Sequence, residues 1–420
     1  MEIVTSQNQN SNSPESGRRR FLKGGMALGA ALATVGRPTA GLPQPAHDDP
    51  SKVLGGPVRP YGERSRFEQA SRERSPFSKT DEVAGSRTPL ADTVGIITPS
   101  ALHFEVHRSG VPDIDPRKHR LLIHGLVDRP VLLTVEEIKR LPSTSRILFL
   151  ECGGNTFTEW REPRGKTVQG THGATSCSEW TGVPLALRLR EAGIQTAAAW
   201  VLAEGADGSG NERSLPLAKA LDDVLVAYGQ NGEAVRPENG YPLRLIVPGW
   251  TGNISVKWLR RIKVADRPYL TRMDGAGQPI VMPDGKARHL ASVMEAKSVI
   301  TSPSGGHRLP SPGMYEIRWL AWSGRGLVRQ VEVSTDGGRR WRNARLESPV
   351  LPFAHTRFKL GWRWDGHEVI LQSRCIDETG YMQPTLAELV KVRGLNSRLF
   401  NNAIQSWKVA SDGTVHNVHA

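Results

Sequence analysis

The segment Leu148–Asn155 reads Leu-Phe-Leu-Glu-Cys-Gly-Gly-Asn and joins an apolar strand to a glycine-rich loop. Its apolar run is typical of a short strand. Gly153 and Gly154 allow the backbone to approach a bulky ligand, and a strand end fixes the Cys152 side chain at a rigid position. Cys152 is therefore a candidate ligand. A buried structural cysteine is the alternative, and these residues taken alone favour it.

Further motifs follow this segment along the chain. They are Gly173-Ala174, Glu179–Leu185, Ala227–Glu233, Asn239–Arg244, Val247–Trp250 and Ser255–Leu259. In order and spacing, the set resembles the motifs of the sulfite oxidase and assimilatory nitrate reductase family, and the resemblance extends from about Leu102 to Trp407. It implies an oxidoreductase with a molybdenum-molybdopterin cofactor, in which the Cys152 thiolate is catalytic and coordinates the metal. Molybdenum bound through soft dithiolene sulfurs readily accepts a further thiolate.

The resemblance also implies which residues bind the cofactor and which face the substrate. Arg244 and Lys257 match the family's cofactor-binding arginine and lysine, and a pterin phosphate requires such cations. Tyr228 matches a substrate-pocket tyrosine, and Arg393 matches a second-domain arginine that reaches the oxyanion. The other implied cofactor-binding residues are Phe104, His107, Arg108, Asp207, Asn239, Ser255 and Val256. Without the resemblance, such cations are usually solvated surface charges.

The sequence departs from the family pattern near the expected pocket. Thr156 and Phe157 stand where sulfite oxidases have two arginines, the second of which helps to bind sulfite. Because loss of a cation weakens oxyanion binding in a desolvated site, free sulfite and nitrate are disfavoured as substrates. Asn239 replaces a family histidine, and His107 followed by Arg108 replaces the arginine of the first loop.

The run Phe104–Pro116 and this altered pocket resemble the molybdenum subunit of the sulfane dehydrogenases within the same family. That relation implies oxidation of a sulfane sulfur carried as a cysteine persulfide on a sulfur-carrier protein, with water as the oxygen donor. It also implies a c-type cytochrome subunit as electron acceptor and a dimer within a heterotetramer.

The chain has three cysteines, Cys152, Cys177 and Cys375. They are too few for a disulfide framework and lack CxxC or CxxCH spacing, so no haem is expected on this chain. The electrons therefore need an external acceptor. Cys177 and Cys375 are interpreted as structural thiols, and Cys177 is the competitor of Cys152 for the metal.

The formal net charge of this 420-residue sequence is +13. The basic residues are scattered, without zinc-finger spacing, a basic helix or an aromatic RNA-binding motif, so nucleic-acid binding is not expected. A positive surface suits an anionic substrate or an acidic protein partner.

The stretch Ser16–Lys23 reads Ser-Gly-Arg-Arg-Arg-Phe-Leu-Lys and precedes a weakly apolar run, Gly24–Val35. This pattern predicts a twin-arginine signal and export to the periplasm. A transmembrane anchor is the disfavoured alternative, because spanning a bilayer takes roughly 20 apolar residues. No other apolar run approaches that length, so no membrane span is expected.

The length and the alternation of short apolar runs predict an α+β protein with several parts. These are a signal peptide over 1–46, an extended arm over 47–93, a mixed α/β molybdopterin-binding domain over 94–290 and an all-β, immunoglobulin-like sandwich over 291–420. The resemblance implies that the sandwich is a dimerisation domain. Thr134–Leu141 and Pro184–Ala192 are predicted helices, and Thr335–Gly338 predicts a hairpin turn.

Two other functions stay open. One is a periplasmic sulfite dehydrogenase with the same cofactor, which assays on free sulfite would identify. The other is a noncatalytic binding protein on a decayed oxidoreductase domain, which absence of molybdenum would favour.

Overall fold

A computed structural model of the chain describes residues 54–271, 280–282, 284–288, 293–396 and 399–420. The predicted signal peptide and residues 47–53 of the predicted arm lie outside these ranges. The chain divides into two units, Met1–Ser65 and Arg66–Ala420. In the first unit, residues 54–65 are exposed and contain neither helix nor strand. Among the described residues, we find no helix whose length and apolar character would allow it to cross a membrane.

The second unit begins with a small antiparallel sheet in the order β1-β2-β3. Its strands are β1 (Glu73–Arg74), β2 (Gly85–Arg87) and β3 (Glu105–Val106). The arm predicted to end at residue 93 therefore contributes two strands that pair with each other, and β2 also pairs with β3, in the loop that carries the first predicted cofactor residues. Leu90, at the end of the arm, is 1% exposed and packs in a hydrophobic core. Two-residue strands are too short to give a periodic sequence pattern, so the arm reads as irregular.

Residues 120–265, the predicted catalytic part, contain two five-stranded sheets, ordered β5-β4-β13-β8-β9 and β11-β10-β7-β6 with β12 paired to β10. The first consists of β4 (Arg120–Gly125), β5 (Val131–Thr134), β8 (Trp200–Gly205), β9 (Glu212–Pro216) and β13 (Leu259–Ala265). The second consists of β6 (Thr144–Glu151), β7 (Thr175–Pro184), β10 (Leu225–Gln230), β11 (Glu233–Ala234) and β12 (Arg244–Ile246). Strand β13 is parallel to β4 and antiparallel to β8.

Short helices connect these strands. They are α1 (Val135–Lys139), α2 (Val168–His172), α3 (Leu185–Ala192) and α4 (Leu217–Asp222), with 3-10 turns at Ser100–Leu102, Phe157–Trp160 and Pro237–Asn239. Helix α1 begins at a capping box, in which Thr134 and Glu137 satisfy each other's backbone N–H groups. Apolar side chains of both sheets and of α1, α3 and α4 meet in one core, which includes Ile123, Leu189 and Val226. This core fixes the strand ends from which the site is built.

A two-sheet sandwich follows, preceded by a hairpin of β14 (Ile280–Val281) and β15 (Ala287–Arg288). One sheet has the order β16-β17-β21-β20 and the other β19-β18-β22-β23-β24. The strands are β16 (Lys297–Ser302), β17 (Gly313–Trp322), β18 (Val328–Ser334), β19 (Arg342–Asn343), β20 (Arg345–Leu346), β21 (Thr356–Trp364), β22 (Val369–Asp377), β23 (Ser406–Val409) and β24 (Val415–Val418). Helix α5 (Leu386–Arg393) lies between β22 and β23 in the chain.

The sandwich core is built from large side chains of both sheets, including Trp319, Phe358 and Trp407. Phe149 of β6 belongs to the same cluster, so the sandwich packs directly against the strand that precedes Cys152. The predicted hairpin turn is present between β18 and β19, where Gly337 and Gly338 have φ values of 72° and 86° that favour glycine. The predicted α+β class, a mixed domain followed by a β-rich domain, is confirmed.

Candidate active site

One cavity of about 190 Å³ lies where several strand ends of the catalytic part meet. Nine of the sequence-predicted site residues line it: Phe104, His107, Arg108, Cys152, Asp207, Asn239, Arg244, Ser255 and Lys257. These residues come from β3 and its continuation, from the ends of β6 and β8, and from the segments that flank β12 and precede β13. The fold therefore brings together positions that are up to 153 residues apart in sequence, from Phe104 to Lys257.

Cys152 follows β6 directly and is partly exposed toward this cavity. Its backbone N–H donates to Ala174 O at 2.9 Å, and its carbonyl accepts from Asn155 N at 2.8 Å. The Gly154 N–H points at Cys152 Sγ, 3.4 Å away. Burial raises the pKa of the Cys152 thiol above its usual value, so the free thiol is protonated near neutral pH. Coordination of a cation is the change that would deprotonate it.

The other two thiols lie in the hydrophobic core of the sandwich and not in the cavity lining. Burial raises the pKa of Cys177 to about 12 and also raises the pKa of Cys375. Both side chains are fully buried. Cys177 is therefore poorly placed to compete with Cys152 for a ligand in this cavity.

Two desolvated cations, Arg244 and Lys257, lie on the cavity wall. Arg244 donates to the carbonyls of Asn239 and Ser255, at 2.8 and 3.3 Å, and lies over the Trp180 ring. Burial lowers the pKa of Arg244 to about 9. Burial, with the nearby Arg244 charge, also lowers the pKa of Lys257 well below its usual value. Neither cation forms a salt bridge to a carboxylate of the described residues, which is the arrangement that an anionic group would stabilise.

His107 links Lys257 to the small sheet. Lys257 Nζ lies 2.9 Å from His107 Nδ1, and His107 Nε2 lies 2.8 Å from a carboxylate oxygen of Glu105. Burial lowers the pKa of His107, so the neutral ring accepts from Lys257 and donates to Glu105. Arg72 of the arm lies 3.1 Å from the same carboxylate group. The arm thus supports one wall of the cavity.

Two polar residues, Asp207 and Asn239, line the cavity from turns on either side of it. The Asp207 carboxylate accepts from the Ser209 hydroxyl and, at 3.3 Å, from Asn211 N, which fixes the turn after β8. Asn239 Nδ2 donates to Ser100 O and to Gln230 Oε1. Its Oδ1 is buried without a hydrogen-bond partner in the described structure. A buried acceptor of this kind normally requires a partner, which a bound group can supply.

Three predicted residues do not line the cavity. Tyr228 lies on β10 and packs against the core of the catalytic part, and Val256 is fully buried in that core. Arg393 ends α5 and donates to Phe400 O and to the Glu295 carboxylate. The substrate roles of Tyr228 and Arg393 therefore stay predictions.

The two departures beside the cysteine loop also lie outside the lining. Thr156 is buried, has φ of 65°, and donates to Asn401 O at 2.5 Å. The Phe157 ring contacts Phe77 of the arm, with 4.3 Å between ring centroids. The aromatic ring therefore fills space between the cysteine loop and the arm, and neither Thr156 nor Phe157 contributes a cation to the cavity.

Sequence reasoning missed several lining residues, among them Glu105, Arg213, Glu238 and Trp258. Arg213 is only 2% exposed, and it shares the inward face of β9 with Leu215. That alternation along Glu212–Pro216 is the signal that could have identified it. Trp258 has a positive φ of 53°, and Lys257 Nζ lies 4.3 Å from its ring centroid. No sequence pattern predicts that geometry.

The donor set fits a metallopterin. Cys152 would supply one thiolate, Arg244 and Lys257 would bind a phosphate, and the Asn239 acceptor would bind a donor of the pterin. Among the described residues, no group of three or more His, Cys, Asp or Glu side chains is arranged to bind a metal ion.

Comparison with family models identifies both parts of the chain. The oxidoreductase molybdopterin binding domain matches residues 108–273, and the Mo-co oxidoreductase dimerisation domain matches residues 288–407.

Individual relatives agree with these matches. Over 290 residues the chain is 32% identical to the NADH nitrate reductase of Ulva prolifera, covering 61% of this chain and 33% of that protein. Over 338 residues it is 32% identical to the mitochondrial sulfite oxidase of Rattus norvegicus, covering 74% of this chain and 61% of that protein. The chain thus spans less than two thirds of these curated relatives. The crystal structure of the sulfane dehydrogenase SoxCD from Paracoccus pantotrophus matches with a TM-score of 0.87 and 42% identity, over 90% of this chain and 100% of that chain.

Proposed function

Because this chain belongs to the sulfite oxidase family of molybdopterin oxidoreductases, we propose that it is the molybdenum-carrying subunit of a sulfane dehydrogenase. The observation that carries this proposal is one cavity lined by a partly exposed thiol, the buried Arg244 and the half-buried Lys257, and neither cation has a carboxylate partner among the described residues. The sulfane dehydrogenase structure is 42% identical and matched over its full length, whereas the rat sulfite oxidase is 32% identical. This difference favours sulfane sulfur over free sulfite as substrate.

The cavity residues have distinct proposed roles. Arg244 and Lys257 bind the pterin phosphate, and their burial strengthens that charge pairing. Phe104, His107, Arg108, Asn239 and Ser255 complete the cofactor contacts. Val256 packs in the core next to Ser255, and Asp207 fixes the turn after β8 that faces the pterin. Cys152 supplies the thiolate ligand. When bound, the cofactor supplies the redox chemistry and the transfer of oxygen from water to sulfur.

The substrate side of the proposal rests on the open cavity and on charge. A cysteine persulfide at the end of a carrier-protein segment is anionic, and Arg108 and Arg213 line the cavity that it would enter. Tyr228 and Arg393 are the proposed substrate-side residues. Arg393 contacts the carbonyl of Phe400, which neighbours the lining residue Leu399. The electrons leave to a c-type cytochrome subunit.

We further propose that the protein acts in the periplasm after twin-arginine export and that its sandwich domain forms a dimer within a heterotetramer. The residues Arg18 and Arg19 followed by Phe21-Leu22-Lys23 support the export route. The match of residues 288–407 to a dimerisation domain supports the dimer.

Two measurements on purified protein test this function. Elemental analysis is expected to find about one molybdenum per chain, and steady-state assays are expected to give a higher kcat/KM for a persulfide-loaded carrier than for free sulfite. A higher kcat/KM for sulfite would instead identify a sulfite dehydrogenase. Absence of molybdenum would identify a noncatalytic binding protein.

A further inference from the structure

A buried ion pair connects the sandwich to the residue that precedes Cys152. Lys297 Nζ, at the start of β16, lies 2.5 Å from Glu151 Oε1, at the end of β6. The two side chains are 1% and 0% exposed. The pair therefore joins the second domain to the cysteine loop without contact with solvent.

The Glu151 carboxylate has two further donors. Trp322 Nε1 of β17 donates to Oε2 at 2.7 Å, and Asn155 Nδ2 donates to Oε1 at 2.9 Å. Both carboxylate oxygens are thus hydrogen-bonded, one of them twice. Because both of its oxygens accept hydrogen bonds from fixed donors, the Glu151 carboxylate is held in a single orientation.

Asn155 extends the network around the cysteine loop. Its Oδ1 accepts from Ala174 N at 3.1 Å, and its backbone N–H donates to Cys152 O at 2.8 Å. On the other side of the loop, Phe400 N donates to Gly153 O at 2.7 Å. The loop is therefore held between residues of both domains.

Stability alone does not require an ionic network here, because well-packed apolar residues usually serve a core equally well. Groups that orient a metal ligand, by contrast, change metal affinity or activity by about 10–100-fold when they are removed. We propose that the Glu151–Lys297 pair positions the Cys152 sulfur for the metal, so that the sandwich domain takes part in forming the metal site. This inference rests on the proposed function.

The test compares four variants of the full-length holoenzyme. Lys297→Met and Glu151→Gln each break the pair, and the double variant removes both charges. Lys219→Met is the matched control, because Lys219 forms a partly buried pair with Asp223 at 2.6 Å that lies outside the cavity lining. For each protein we would measure molybdenum content, thermal midpoint, kcat, KM and the g values of the reduced molybdenum in electron paramagnetic resonance.

We expect Lys297→Met and Glu151→Gln to lower kcat by about 10–100-fold, to change KM little and to shift the g values. The double variant is expected to regain thermal stability, since no unpaired charge is left buried, but to keep the altered g values and the low kcat. The control is expected to lose stability only.

Wild-type g values and kcat in a molybdenum-loaded Lys297→Met protein would overturn the inference. If neither single variant folds, wild-type g values and kcat in the molybdenum-loaded double variant would overturn it. Failure of the proposed function would appear separately, as a wild-type protein without molybdenum.

Discussion

At the scale of single residues, only one of the three thiols, that of Cys152, is exposed to the cavity. We expect Cys152→Ser to lower kcat at least about 100-fold and to alter the molybdenum resonance, because an alcohol is a poor substitute for a soft thiolate. The thermal midpoint should change little.

Cys375→Ser provides the control for this substitution. That side chain lies in the sandwich core, so a hydroxyl there should destabilise the fold by about 1–3 kcal/mol and leave the resonance unchanged. Full turnover in Cys152→Ser would show that another group binds the metal.

His355 gives a prediction for pH dependence. It is buried beside Phe149 and Trp322, and burial with the nearby Arg357 charge lowers its pKa to about 3. In the unfolded chain its pKa is about 6.5. As pH falls from about 6.5 to 3, the unfolded state therefore takes up the proton first, and the free energy of unfolding decreases. Above about pH 6.5 this contribution is complete.

We expect His355→Gln to remove this dependence. As pH falls from about 6.5 to 3, the free energy of unfolding of the variant should fall less steeply than that of the wild type. The two slopes should differ by up to about 1.4 kcal/mol per pH unit. His367→Gln, at an exposed site, should leave the curve unchanged. Parallel curves for wild type and His355→Gln would contradict the prediction.

The individual site residues differ in how well their positions are predicted from the sequence. Nine of the 21 residues that line the cavity, among them Cys152, Arg244 and Lys257, are predicted from the family motifs, which lie at strand ends and in the loops beside them. Tyr228 and Arg393 were predicted from the same resemblance, yet their side chains lie outside the lining. Their placement depends on tertiary packing over long sequence separations, which no local pattern encodes.

At the scale of elements, close backbone contact connects the catalytic part to the β17–β18 turn. A Cβ atom on Gly324 would lie 2.0 Å from Gly249 O and 2.6 Å from Met294 O. Met294 N donates to Gly249 O, and Gly324 N donates to Met294 O, so neither carbonyl can move without loss of a hydrogen bond. We expect Gly324→Ala to destabilise the protein by about 3 kcal/mol or more in urea denaturation.

Gly361→Ala is the matched control. Gly361 lies in β21 of the same domain, and an added Cβ there would contact nothing within 4 Å. Its stability should remain within about 0.5–1 kcal/mol of wild type. Equal effects of the two substitutions would exclude steric contact as the cause.

Elements differ in how well the sequence predicts them. Helices α1 and α3 fall within the predicted segments Thr134–Leu141 and Pro184–Ala192, since caps and periodicity are local signals. The pairing of β3 with β2 was not predicted, because strands of two or three residues carry no periodic signal and pair over long range. That pairing matters, since it places Glu105 and His107 beside Lys257.

At the scale of the whole molecule, the formal net charge of +13 bears on how fast an anionic partner arrives. Positive surface potential raises association rates with negative ligands, and salt screens this effect over about 8–10 Å at physiological ionic strength. For the proposed persulfide-loaded carrier, we expect kcat/KM to fall about 10-fold as ionic strength rises from roughly 20 to 200 mM. The value of kcat should change much less, because the chemical step follows binding and takes place in a cavity whose charges are shielded from solvent.

Reversal of an acidic patch on the carrier should remove most of the salt dependence, and a kcat/KM independent of salt for the unaltered carrier would contradict electrostatic steering.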